Sequence, residues 1–130
     1  MVKSLSSPKI LVCGIAFKGY PETTDVRNST TIDLIDYLKD KNKAININIF
    51  DPVISKNEIL SLNYSFYKLN SYKKTFHSII FANNHISYLN YKLENLFKEL
   101  KEPNLFCDCW NLFGKSNIRS YKHIDYFGVG

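Results

Sequence analysis

The sequence has little of what membrane-spanning, secreted and metal-binding proteins need. No apolar run approaches the roughly 20 residues that cross a bilayer, and no secretory hydrophobic segment opens the chain. The cysteines are Cys13, Cys107 and Cys109, an odd number without a repeated C-x-x-C pattern. This pattern argues against a disulfide scaffold and a zinc site. We therefore expect a cytoplasmic protein with reduced structural cysteines, no bound metal and no membrane contact.

Arginine and histidine are also scarce. Arg27 and Arg119 are the only arginines among 17 basic residues, and the three histidines show no metal-ligand spacing, so we interpret them as structural. The net charge of +5 comes from lysines scattered along the chain. Such scatter is typical of a solvated surface and does not favour a nucleic-acid partner. A small ligand that carries phosphate fits the basic balance better than a duplex does.

The few glycines exclude the common nucleotide-binding loops. A P-loop requires Lys and then Ser or Thr directly after its second glycine, whereas Tyr20 and Pro21 follow Gly19. The dinucleotide pattern G-x-G-x-x-G is absent as well. We therefore do not expect a self-contained dinucleotide site in this chain.

What the chain does contain is the pattern of one α/β domain. Its 130 residues, of which 45% are hydrophobic, suffice for a single core. A continuous apolar run over residues 9–17 predicts a strand that is buried on both faces. An amphipathic helix over 29–40, capped by Asn28 or Ser29, and an alternating strand over 45–50 complete a β-α-β unit. We predict a three-layer, Rossmann-like α/β fold with a mostly parallel sheet.

The rest of the chain continues this pattern. We interpret residues 1–8 as a leader or boundary and 9–130 as a single domain. The further elements that we predict are strands over 65–68, 77–82 and 105–108, helices over 56–62 and 91–100, a short helix or turn over 70–76, and a weak strand near Tyr121, before the closing residues 126–130. Pro103 is expected to close the helix over 91–100.

Three candidate binding residues follow predicted strands, where parallel sheets gather their ligands. Lys18 offers a compact positive charge for a phosphate. Arg27 offers a planar fork that Asp25 can orient, and Trp110 offers a stacking surface for a base or sugar. The alternatives are a surface lysine, a local Asp25–Arg27 ion pair and a core tryptophan. No complete catalytic constellation is present in the sequence.

Five separated motifs stand in the order GIAFKGYPETTDVRNS, IDLIDYL, NIFDP, CDCWNLF and YFGVG. In this order they resemble the C-terminal, UDP-binding domain of the UDP-glucose/GDP-mannose dehydrogenase family. The pattern of that family is a strand, Ala-Phe-Lys, a variable loop and Asp-x-Arg-x-Ser. This chain matches it with Ala16, Phe17, Lys18, Asp25, Arg27 and Ser29, and the resemblance covers almost the whole chain.

The resemblance implies one domain of a larger NAD-dependent nucleotide-sugar 6-dehydrogenase. Such enzymes oxidise a sugar CH2OH to a carboxylate and reduce two NAD, with an N-terminal domain and a central domain supplying the rest of the site. Phe17 and Lys18 would contact the UDP-sugar, and Arg27 would reach the NAD on the other domain. The family's cysteine nucleophile precedes this domain, so we expect no catalytic residue here and an inactive fragment.

One stretch departs from the family. Many members have Asp-Gly-Arg-Asn where this chain has Asp108-Cys109-Trp110-Asn111. We expect Trp110 and Asn111 to bind substrate, although tryptophan cannot pair with phosphate. The expected substrate is UDP-glucose or a UDP-N-acetylhexosamine, with a mild preference for the latter, and the expected context is polysaccharide biosynthesis by a homo-oligomer. The alternative is a stand-alone, non-catalytic module that binds a nucleotide sugar or a partner.

Overall fold

The computed structural model describes residues 4–69 and 73–128 and has a six-stranded sheet in which every neighbouring pair is parallel. The strand order is β3-β2-β1-β4-β5-β6. The strands are β1 (Lys9–Cys13), β2 (Asn46–Phe50), β3 (Ser65–Phe66), β4 (Phe76–Phe81), β5 (Leu100–Asp108) and β6 (Tyr126–Gly128). The helices are α1 (Thr30–Lys41), α2 (Lys56–Ser61), a 3-10 helix (Ile86–Asn90), α3 (Leu93–Phe97) and α4 (Lys115–Arg119).

Two hydrophobic cores lie on opposite faces of this sheet, which confirms the predicted three-layer α/β fold. Alternate side chains of β1 pack into the two cores, with Leu11 on one face of the sheet and Val12 on the other. Both side chains are fully buried, and each burial contributes about 1.5–3 kcal/mol. The predicted apolar stripe of α1 is confirmed, since Ile35 is buried and Leu38 packs beside it. No described helix is long and apolar enough to cross a membrane.

The first strand is shorter than predicted, because it ends at Cys13 and not at residue 17. Gly14 has a φ of +100°, which takes the chain out of the strand. The next two amides, those of Ile15 and Ala16, donate to the Asp51 carboxylate instead of to a neighbouring strand. The apolar run therefore continues past the strand as the buried start of a loop.

The prediction for residues 91–100 was wrong in its length and in the role of Pro103. Only Leu93–Phe97 is α-helical, and Pro103 lies inside β5. The pairing of β4 with β5 is irregular between Leu100 and Leu105, and a proline is tolerated there because no regular ladder bond is lost. The predicted strand near Tyr121 does not form, because α4 ends at Arg119 and a turn over residues 122–123 follows. The Tyr121 ring packs against Phe97 with 4.8 Å between centroids.

Strand β5 begins at Leu100 and not at residue 105, and other boundaries differ by a residue or two. The 3-10 helix, α4 and β6 were not predicted. The predicted cap of α1 is not formed, because the Ser29 hydroxyl donates to the Ile15 carbonyl. Helix α4 was not predicted, because five residues carry too little periodicity. Of the short helix or turn predicted over 70–76, residues 70–72 lie outside the described residues and Phe76 begins β4.

Candidate functional site

The candidate site lies at the carboxyl ends of the three central strands. Strands β1, β4 and β5 are neighbours, and the strand order reverses between β1 and β4. Such a reversal opens a crevice between the loops that follow the two strands, and this crevice is where open α/β sheets bind ligands. The loops here are residues 14–29, which we call the strap, residues 82–85 after β4, and residues 109–114 after β5.

The start of the strap is held by the buried carboxylate of Asp51, which follows β2. One oxygen accepts from the amides of Ile15 at 2.9 Å and Ala16 at 3.1 Å. The other oxygen accepts from the amides of Val53 at 2.8 Å and Ile54 at 3.0 Å. These four bonds satisfy a charged group that is only 5% exposed. They fix the backbone immediately before Phe17.

The middle of the strap is held against the loop after β4. The Asn84 side-chain oxygen accepts from the amides of Gly19 and Tyr20, each at 3.1 Å. Nε2 of His85 lies 2.7 Å from a Glu22 carboxylate oxygen. Gly19 has no space for a side chain, because a Cβ atom there would lie 2.1 Å from the His85 nitrogen. Glycine at this position therefore allows the backbone of the strap to approach the backbone of the loop after β4.

Phe17 and Lys18 stand between these two anchors. The Phe17 ring is 46% exposed, and its amide donates to the Asp25 carbonyl at 2.7 Å. The Lys18 ammonium lies 5.2 Å from the centre of that ring, which is a cation–π distance. Lys18 forms no ion pair within residues 4–69 and 73–128. Its positive charge is therefore available to an anion.

Asp25 and Arg27 form the ion pair that the sequence suggested. The guanidinium donates from Nε at 3.0 Å and from a terminal nitrogen at 2.8 Å, so the contact is bidentate. These side-chain bonds, together with a bond from the Arg27 amide, lower the pKa of the Asp25 carboxyl to about 2. The Arg27 side chain remains 84% exposed. The pair thus orients a guanidinium that still faces solvent.

The loop after β5 presents Trp110 and Asn111. The Asp108 carboxylate is buried and accepts from the amides of Leu112 and Phe113, each at 2.9 Å. The Trp110 ring is 54% exposed, and its Nε1 donates to the Ala82 carbonyl at 3.1 Å. The alternative that Trp110 is a core residue is therefore wrong. Asn111 is exposed beside it, with a φ of +53°.

A pocket of about 460 Å³ lies where the three loops meet, and we call it the edge pocket. It is lined by Tyr20, Asn84, Ile86, Leu89, Trp110 and Leu112. Of these, sequence reasoning singled out only Trp110. The Asn83-Asn84-His85 stretch directly after a predicted strand was the available signal, since polar side chains at a carboxyl end are candidates for a site.

The cysteines and histidines have surroundings that suit structure more than chemistry. Burial raises the pKa of the Cys13 thiol well above its usual value and raises the pKa of Cys107 to about 12. Burial and the nearby Asp108 also raise the pKa of Cys109. Thiols of this kind are protonated, and so poorly nucleophilic, at neutral pH. Among the described residues no three His, Cys, Asp or Glu side chains group as metal ligands.

One known protein family is similar to this chain over most of its length. The family model described as "UDP-glucose/GDP-mannose dehydrogenase family, UDP binding domain" matches residues 11–115. The match runs from β1 to the start of α4, so it includes the strap and the loops after β4 and β5. No curated protein matches the chain significantly.

Proposed function

Because the chain belongs to the UDP-glucose/GDP-mannose dehydrogenase family and corresponds to its UDP-binding domain, we propose that the carboxyl edge of the sheet binds the UDP part of a nucleotide sugar. The observation that carries this proposal is the placement of Lys18. Among the residues that the structure describes it has no ion-pair partner, its backbone is anchored, and it lies beside the crevice where the strand order reverses. A diphosphate supplies the negative charge that such a cation attracts.

Phe17 and Lys18 are the proposed substrate contacts on the strap. The ammonium would donate to a phosphate oxygen, a charge-assisted bond of about 1.5–3 kcal/mol. The half-exposed Phe17 ring would cover the apolar side of the ligand and exclude water from that bond. Asn111 and Trp110 would close the site from the loop after β5.

We propose that this domain is not the main site of NAD. The strap separates β1 from α1, and the hydroxyls of Ser29 and Thr31 at the start of α1 donate to the Ile15 and Gly14 carbonyls, each at 2.8 Å. The first turn of that helix is therefore packed on the protein. We propose that NAD is held mainly by an N-terminal domain of a larger enzyme, and that Arg27 reaches it from here.

The reaction that we propose for the larger enzyme is the oxidation of a UDP-sugar CH2OH group to a carboxylate with reduction of two NAD. The substrate would be UDP-glucose or a UDP-N-acetylhexosamine, and the product would enter polysaccharide biosynthesis in the cytoplasm. The enzyme would be a homo-oligomer whose N-terminal and central domains complete the cleft. The 130-residue chain alone would show no NAD reduction with any UDP-sugar.

Titration of the 130-residue chain with UDP and GDP, by calorimetry or NMR, tests the binding proposal. We expect UDP to bind and Lys18→Ala to weaken that binding roughly 10- to 100-fold, since the lost bond is worth about 1.5–3 kcal/mol. Lys43→Ala is the matched control, because Lys43 is an exposed lysine that pairs only with Asp40 among the described residues. Equal affinities of both variants for UDP would remove Lys18 from the site, and failure of UDP to bind at all would reject the proposal.

A further inference from the structure

Three adjoining concavities lie beside α3 and α4, on the face of the sheet away from α1. Their volumes are about 590, 520 and 600 Å³. The first and second share Glu94 and Tyr121 in their walls, and the second and third share Ser120. Because neighbouring concavities have wall residues in common, they form one continuous groove, which we call the α3–α4 groove.

Cations outnumber anions along this groove. Seven basic side chains line it, against the two carboxylates of Glu94 and Glu102, and this excess of five is as large as the net charge of the whole chain. None of the seven forms an ion pair within residues 4–69 and 73–128. They are Arg119 and the lysines Lys74, Lys92, Lys98, Lys101, Lys115 and Lys122. Lysines that are scattered along the sequence are thus gathered by the fold along one groove.

Positive charge that is spread along a groove favours an extended polyanion over a small ion. A single carboxylate or phosphate reaches only the cations of one concavity, such as Lys115 and Arg119 in the third. Exposed ion pairs are individually weak in water, so useful affinity requires a ligand that makes several of them at once. A chain with repeated negative charges meets this requirement.

The other side chains of the groove argue against a protein or nucleic-acid ligand. Protein interfaces are rich in aromatic side chains and poor in Lys, Glu and Ser, which are the residue types found here. Single-stranded nucleic acid relies on aromatic platforms for its bases. The Phe97 ring in the groove is buried, and the Tyr121 ring packs edge-on against it at 4.8 Å between centroids.

Hydrogen-bond acceptors lie among the cations. Ser120 Oγ donates to the Asn117 carbonyl at 2.6 Å, and Asn117 Nδ2 donates to the Phe113 carbonyl at 3.0 Å. With their donors used in this way, the side-chain oxygens of Ser120 and Asn117 remain acceptors. Acceptors of this kind suit a ligand that carries hydroxyl groups as well as negative charge.

We propose that the α3–α4 groove binds an acidic oligosaccharide, a chain of sugars with repeated carboxylate groups. The cations of the groove face the carboxylates, and Ser120 and Asn117 accept hydrogen bonds from sugar hydroxyls. The groove shares no lining residue with the edge pocket, so it is a second site. The reaction proposed above yields a sugar carboxylate, the kind of unit from which such a chain is built, but the charge complementarity does not depend on that reaction.

Fluorescence anisotropy of a labelled hexauronate, a linear oligomer of uronic acids, tests this proposal with the full 130-residue chain. The hexauronate should bind saturably at an ionic strength of about 0.02 M. Binding should weaken as the ionic strength is raised to about 0.15 M, since exposed charges are then screened. A neutral glucose hexamer should not bind, and equal binding of the two oligomers would overturn the proposal, as would no binding of hexauronate at low salt.

Variants at the two ends of the groove test its continuity. Lys115→Gln combined with Arg119→Gln should weaken hexauronate binding roughly 3- to 30-fold, the range for two exposed ion pairs. Lys98→Gln combined with Lys101→Gln, in the first concavity, should cause a loss of the same size. No loss in one of the two pairs would show that the ligand does not run along the groove.

A matched control removes the same charge from the opposite face of the sheet. Lys41→Gln combined with Lys43→Gln, at the end of α1, should change the affinity for hexauronate by less than about twofold. Equal losses in the control and in the groove variants would show that only net charge matters, and would overturn the proposal. Tighter binding of an oligothymidylate or an oligoglutamate of the same charge would overturn the assignment to a sugar.

The outcomes also distinguish this inference from the proposed function. Lys18→Ala should leave hexauronate binding unchanged. If Lys18→Ala abolishes that binding while the groove variants do not, the hexauronate lies at the carboxyl edge, and the groove proposal is wrong while the UDP site stands. If hexauronate binds as expected and UDP does not bind, the proposed function alone is rejected.

Discussion

Removing the Asp51 carboxylate should loosen the strap. In Asp51→Ala the amides of Ile15, Ala16, Val53 and Ile54 all lose their acceptor. A buried donor left unsatisfied costs about 1–3 kcal/mol, but a cavity at this site can admit water to part of the group. We therefore expect a loss of about 3–5 kcal/mol, at the upper end of what one substitution does.

Asp51→Asn gives a graded version of the same experiment. The side-chain oxygen of the asparagine can still accept from one pair of backbone amides. Its NH2 group would face the other pair of amides, and since both sides are donors no hydrogen bond can form there. We expect a smaller loss of about 2–3 kcal/mol, since one pair of the hydrogen bonds is retained, although without the charge of the carboxylate. Asp40→Asn is the control, because within residues 4–69 and 73–128 the Asp40 carboxylate pairs only with Lys43, at an exposed position, and such a pair is worth about 0–1 kcal/mol.

Denaturant unfolding at neutral pH measures these differences, and UDP titration measures their consequence for the site. The Asp51 variants should lower both the unfolding midpoint and the affinity for UDP, since Phe17 and Lys18 directly follow the anchored amides. A loss below about 1 kcal/mol in Asp51→Ala, a magnitude typical of an ordinary surface substitution, would refute the reasoning. It would show that the carboxylate is not what fixes the strap.

Two further predictions concern titration. His77 accepts a hydrogen bond from the Lys9 amide through Nδ1, and its pKa is lowered below 6.5 by burial and by the nearby Lys101 and Lys9. As the pH falls, His77 is therefore protonated in the unfolded chain at a higher pH than in the folded one. The contribution of neutral His77 to the free energy of unfolding should be complete above pH 6.5 and should decrease as the pH is lowered below that value. In denaturant unfolding between pH 7 and 5, His77→Asn should make this decrease smaller. The Asp25 carboxyl should titrate at about pH 2 by NMR, and Arg27→Ala should return its pKa towards 3.8, since the guanidinium bonds are the main cause of the shift; an unchanged midpoint would assign the shift to the backbone.

The three layers and the parallel sheet of this fold could be anticipated because they depend on local apolar patterns. Leu11 and Val12 lie in a continuous apolar run and are buried on opposite faces, as such a run predicts. The same rule failed at the end of β1, because residues 14–16 are as apolar as the strand itself. The strand ends where Gly14 turns the chain out of the sheet and the next two amides donate to Asp51, 35 or 36 residues away. No local pattern reveals that partner.

In the candidate site, too, local features could be predicted from the sequence and contacts between distant residues could not. Lys18 could be found because it follows a strand, and Arg27 because arginine is rare in this chain. Tyr20 and Asn84 could not be paired from the sequence, since 64 residues separate them and each alone is an ordinary surface side chain. Their hydrogen bond turns the amide of Asn84, and the Trp110–Ala82 bond places the indole. The pocket is thus a product of contacts between three loops, and the fold brings these loops together only because their strands are neighbours in the sheet.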